Sequence, residues 1–74
     1  MLKIDGQFVR NLVRSIEDQA VVTALVTIAR ALDKQTVAEF VEDESTLAML
    51  RALGVDQAQG YVIGRPASLA EQVA

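Results

Sequence analysis

Alternating apolar and polar positions mark three short stretches of this chain, and helical spacing marks the segments between them. Met1-Leu2-Lys3-Ile4-Asp5 reads as a strand that stops at Gly6, a residue suited to the turn leaving it. Phe8, Val9, Leu12 and Val13 then recur at helical spacing, which predicts a short helical turn between Gln7 and Arg14. Ser15 followed by Glu17 and Asp18 has the form of a helix N-cap with acids in the first turn. The helix it opens carries an apolar stripe of Val21, Leu25, Ile28 and Leu32, flanked by Val22, Val26 and Ala29, and exits at Asp33-Lys34. A second strand is predicted over Thr36 to Val41, with Val37, Glu39 and Val41 on one face and Ala38, Phe40 and Glu42 on the other. Phe40 is therefore expected to point toward the covering helices.

Asp43 is the expected N-cap of a further helix whose buried side is Leu47, Leu50 and Leu53 with Met49, and Gly54 offers the left-handed residue that ends helices. A third strand is predicted over Gln57 to Ile63, broken by Gly64-Arg65-Pro66. Ser68-Leu69-Ala70-Glu71 has the form of a capping box opening a last helix. The order is strand, helix, three times over. It predicts an α/β fold of three consecutive βα units with parallel strands and right-handed crossovers. Two full helices cover one face of such a sheet, so the other must close on itself as a barrel, pack on a partner or stay exposed. In the isolated chain Val37 and Val41 are expected to lie open to water around Glu39.

Composition narrows the possibilities. Seventy-four residues form one domain at most, and a domain of this size buries only about 60% of the surface its unfolded chain exposes. Hydrophobic residues nevertheless make up 51% of the chain, so the expectation is a piece of a larger core. Net charge is −3 without a basic run, which argues against binding DNA or RNA duplexes. Cysteine and histidine are both absent, so any metal would have to be a hard cation held by oxygen. No stretch approaches the ~20 apolar residues of a membrane span, and a soluble, cytoplasmic protein without membrane insertion is expected.

Functional groups of parallel α/β folds gather at the C-terminal ends of the strands. Lys3 and Asp5 end the first strand, Glu39 and Glu42 the second, and Gln59 lies in the third, so five polar side chains are placed to converge on one rim. Lys3 and Asp5 can equally be a solvated strand end, Glu42 the acidic start of a helix and Gln59 a turn residue. Glu39 differs, because Val37 and Val41 leave little room for a surface explanation. A buried carboxylate there calls for a cation, a proton or a set of hydrogen bonds.

The same residues carry a family resemblance. Lys3-Ile4-Asp5, Ala38-Glu39-Phe40-Val41-Glu42 and Gln59-Gly60-Tyr61, followed by Gly64-Arg65-Pro66, resemble the last motifs of EAL domains, the bacterial phosphodiesterases that hydrolyse cyclic di-GMP. The likeness spans Leu2 to Pro66. It implies a modified TIM barrel, of which residues 1–74 would be a partial domain: the last three strands and their helices. By the resemblance, Glu39 is a ligand of the catalytic Mg²⁺ or Mn²⁺ pair, and Lys3 stands beside the attacking water and the phosphate. Asp5 and Glu42 support the site and its loop, and Gln59 belongs to the nucleotide pocket. Phe40 departs from the glycine most often found at its position.

The other motifs of the family, including the Glu-Ala-Leu triplet and the Asp-Asp-Phe-Gly segment, do not occur in the chain. The resemblance therefore implies a C-terminal fragment of a domain that converts cyclic di-GMP to linear pGpG by metal-assisted attack of water. The fragment alone is expected to be inactive and to bind no metal tightly. The alternative is a non-catalytic truncated EAL module that acts in self-association or partner binding. In either case exposed sheet edges lead to an expectation of a homo-oligomer.

Overall fold

Parallel pairing aligns the first three strands so that their C-terminal ends share one rim. In a computed structural model, which describes residues 1–60 and 67–69, the chain runs through β1 (Leu2–Ile4), α1 (Gly6–Val9), a tight helical turn (Leu12–Arg14) and α2 (Ile16–Ala31). It continues through β2 (Thr36–Ala38), α3 (Glu44–Ala52), β3 (Gln57–Ala58) and β4 (Ala67–Ser68). The sheet order is β1-β2-β3-β4, parallel except for the last pair. Ile4, Ala38 and Ala58 form one row across the three parallel strands, and all three are fully buried. This row meets Val22 and Val26 of α2, and Leu47 and Leu50 of α3, in the main core. Each large aliphatic side chain taken wholly out of water there stabilises the fold by roughly 1.5–3 kcal/mol.

Both long helices start and stop as their sequences specify. The Ser15 hydroxyl accepts from the Asp18 amide at 3.1 Å, and the Asp43 carboxylate accepts from the Thr46 amide at 2.7 Å. Each helix ends in a pair of backward bonds around a left-handed residue. Lys34 and Asp33 amides donate to Ala29 and Arg30 carbonyls around Asp33 (φ 56), and Val55 and Gly54 amides donate to Leu50 and Arg51 around Gly54 (φ 91). At the opposite end of the sheet from the rim, the Asp56 carboxylate accepts from both the amide and the hydroxyl of Thr36, at 2.8 and 3.1 Å. The Thr36 hydroxyl in turn accepts from the Asp56 amide at 3.1 Å. The two strand starts are thereby clamped together.

Five expectations are corrected. The alternation predicted to run through Val41 stops at Ala38, because Phe40 takes a left-handed backbone (φ 62). That residue inverts the phase, so Val41 enters the helix-side core with Ala38 and Phe40 turns outward, 54% exposed. Val37 is buried too, in a row between Lys3 and Gln57, so the bare apolar face expected around Glu39 is not there.

The buried stripe of α2 is Val22, Val26 and Ala29, whereas Ile28 and Leu32 are half open to solvent. The helix has an apolar surface wider than one sheet can cover, and its narrower side chains make the close approach. Ser68, read as the start of a capping box, instead belongs with Ala67 to a strand that pairs antiparallel with β3. The unpaired edge of β3 offers backbone partners that a local cap cannot match, and the Leu69 amide extends the contact to the Asp56 carbonyl at 2.9 Å. Finally, β3 covers only Gln57–Ala58, so Gln59 and Gly60 follow the strand and do not lie in it, while the predicted strand residues 61–63, the Gly64-Arg65-Pro66 break and the helix beyond 70 lie outside the described residues.

Candidate functional site

Three backbone hydrogen bonds extend the ladder just past the strand ends. The Glu39 amide donates to the Ile4 carbonyl at 3.2 Å, the Gln59 amide to Ala38 at 2.9 Å, and the Val41 amide to Gln59 at 3.0 Å. They hold together a hollow of about 260 Å³ lined by Lys3, Glu39, Phe40, Gln59 and Gly60. Gly60 is required by space, since a Cβ there would run into the backbone N and O of Val41. Of the five polar residues singled out in the sequence, Lys3, Glu39 and Gln59 share this hollow.

Asp5 and Glu42 do not line it. The Asp5 carboxylate is turned back to cap α1, where its Oδ1 accepts from the Gln7 amide at 2.9 Å. Glu42 lines a second hollow of about 160 Å³ with Val9, Arg10, Phe40, Asp43 and Thr46. Asp43 has its carboxyl held below the usual range, chiefly by the hydrogen bonds from the Thr46 amide and hydroxyl, with a smaller contribution from the Arg14 charge. Its acceptor role at the start of α3 is the physical cause, because those donors favour the ionised form.

Phe40 is the wall between the two hollows. Its ring lies against fully buried Gly6, where an added Cβ would collide with Cδ2, and the Arg10 guanidinium stands 5.9 Å from the ring centroid. A side chain in the left-handed region costs roughly 1–2 kcal/mol that glycine would avoid. Sequence reasoning placed this ring under the helices. The resemblance offered a signal, since the glycine it implies at this position is the residue most compatible with a positive φ.

Among the described residues no group of three or more His, Cys, Asp or Glu side chains is placed to hold a metal ion. Among the described residues Glu39 is the single carboxylate lining the hollow. These residues alone therefore do not fit a metal pair. No described helix is long and apolar enough to cross a membrane.

A family model for the EAL domain matches residues 1–66. The chain belongs to the EAL domain family. Cyclic di-GMP phosphodiesterase PdeB of Shewanella oneidensis is 45% identical over 69 residues, covering 93% of this chain and 8% of that protein. Probable cyclic di-GMP phosphodiesterase PdeA of Escherichia coli K12 is 44% identical over 71 residues, covering 96% of this chain and 10% of that protein. The EAL segment thus spans about a tenth of the length of the curated relatives it matches. Among solved structures, the PaMucR phosphodiesterase in complex with c-di-GMP superposes with a TM-score of 0.80 at 41% identity, over 99% of this chain and 29% of that one. Klebsiella pneumoniae BlrP1, in a manganese and cyclic di-GMP complex, gives a TM-score of 0.82 at 31% identity over 90% of this chain and 17% of that one. The parallel three-stranded core of this EAL segment is accordingly a part of the EAL fold.

Proposed function

We propose that the chain is the last three βα units of an EAL domain that, when complete, hydrolyses a phosphodiester bond of cyclic di-GMP to give linear pGpG. The observation that carries this reading is the meeting of Lys3, Glu39 and Gln59 in one hollow at the C-terminal ends of three parallel strands. An ammonium on a strand end can stabilise negative charge that develops on a phosphate, and Lys3 is exposed and aimed at that rim. Gln59, with its amide donor and acceptor, suits the polar edge of a nucleobase. Glu39 supplies one oxygen-donor side chain of the kind that Mg²⁺ or Mn²⁺ takes, and further ligands would have to come from outside this chain. Asp5 acts at one remove, by fixing α1 behind the first strand, and Glu42 borders the neighbouring hollow.

The decisive experiment uses the intact protein that carries this segment, with cyclic di-GMP and Mg²⁺ or Mn²⁺. Glu39→Gln keeps the shape of the side chain and removes its charge. Turnover is expected to fall by about 10²-fold or more while circular dichroism shows the fold retained. Near-normal turnover at saturating metal would make Glu39 structural. The 74-residue chain by itself is expected to form no pGpG above a buffer control. A second reading, a truncated module that acts by self-association, is favoured by the free edge of β1 and the half-exposed Ile28 and Leu32.

A further inference from the structure

We propose that Phe40 is a ligand-binding residue that sets affinity: an aromatic wall on which a planar purine base of the ligand stacks while its phosphate lies toward Lys3. This rests on the cyclic di-GMP reading and adds a residue and an interaction to it. Three observations converge on the ring. It is a large apolar side chain left 54% exposed, in the same hollow as Lys3, Glu39 and Gln59. It is kept there on a left-handed backbone that glycine would adopt freely, so neither burial nor backbone preference explains the phenyl group.

The ring is also held in place before any ligand arrives. Gly6 packs against it with no space for a methyl group, and Arg10 stands 5.9 Å from its centroid on the side of the second hollow, within range of a cation–π contact, which leaves the side toward Lys3 and Gln59 to a ligand. A fixed ring loses little freedom on binding, and preorganisation of this kind turns contact into affinity. The ligand it suits is flat, aromatic and hydrogen-bonding at its edge. A base laid against Phe40 has the Gln59 amide within the same hollow, and Gly60 keeps that side clear because Val41 backbone excludes any side chain there. Stacking is tolerant of which base is presented, so the ring would set affinity, with Gln59 reading the base edge.

The test measures KM and kcat for cyclic di-GMP in the intact protein for Phe40→Tyr, Phe40→Leu and Phe40→Gly. Loss of stacking removes binding shared by ground and transition states, so Phe40→Leu and Phe40→Gly are expected to raise KM about tenfold with kcat held within about twofold. Phe40→Tyr keeps a ring and should restore KM to near that of the unsubstituted protein. Should Phe40→Gly fail to fold, Phe40→Leu, which retains bulk against Gly6, carries the comparison. An unchanged KM in Phe40→Leu would overturn the proposal. A fall in kcat at constant KM would overturn it as well, by showing that the ring merely positions Glu39. If the unsubstituted protein neither binds nor hydrolyses cyclic di-GMP, the parent reading fails and the stacking role falls with it.

Discussion

Gly60 and Phe40 occupy the same rim and make opposite demands on it. At Gly60 the backbone of Val41 fills the space of a Cβ, so Gly60→Ala must push two strand ends apart and is expected to destabilise the intact domain by roughly 1–3 kcal/mol in denaturant melts. Because the displaced segment directly follows Glu39 and Phe40, a loss of activity larger than the loss of folded protein is expected in the same variant. At Phe40 a larger residue is tolerated but the backbone is strained, and the outcome for neighbouring residues could not be read from alternation. One left-handed residue sent Val41 to the core and the phenyl ring to the rim. Period-two reasoning assumes an unbroken extended chain, and nothing in the apolar pattern of Val37 to Val41 reports a positive φ. That Lys3, Glu39 and Gln59 would share one rim was legible because they lie within or one residue past strands whose parallel pairing is regular.

Capping chemistry accounts for most of what was legible at the scale of the element. Ser15, Asp43 and Gly54 act where their residue types predicted, since each satisfies orphan backbone groups locally and does not depend on tertiary context. Ser15→Ala should cost about 1 kcal/mol of stability. Asp43 gives a pH-dependent counterpart. Its carboxyl titrates lower in the folded chain than in the unfolded one, so in the interval between the two values the unfolded chain holds a proton that the folded chain does not. The cap's contribution is therefore complete above the ordinary carboxylate value and is lost as pH falls through the folded one. Thermal melts of the intact domain from about pH 5 to about pH 2 should show Asp43→Asn, which still caps but does not ionise, losing less stability in acid than the unsubstituted protein. The stripe of α2 was harder to read. Val22, Val26 and Ala29 lie about 100° around the helix from Ile28 and Leu32, two adjoining apolar faces of which only one can be centred on the sheet, and which one meets it is a tertiary decision.

On the scale of the whole molecule, the order of parallel units was legible but β4 was not. A two-residue antiparallel strand has no periodicity, and it exists because β3 would otherwise end the sheet. It covers the edge of β3 and leaves a two-residue strand as the sheet's end in its place, and the burial of Val37 and Val41 removes the apolar face that was to have driven self-association. What is left, among the described residues, is the edge of β1 and the short β4, together with Ile28 and Leu32. Sedimentation equilibrium of the isolated 74-residue chain should still report a dimer or larger, with Ile28→Lys and Leu32→Lys weakening it. A folded monomer at every concentration would show that these residues are too few to hold two copies together.

The clamp between Thr36 and Asp56 has a consequence for how such a rim can change over time. It fixes the alignment of β2 and β3 from the end remote from the ligand, through a reciprocal set of bonds that uses no residue of the hollow. Substitutions beyond Ala38 or Ala58 that the space allows, unlike Gly60→Ala, therefore alter chemistry without asking the strands to find a new register. A rim of this kind can be rewritten one residue at a time, as the phenyl group at position 40 illustrates, while the foundation that holds it stays the same.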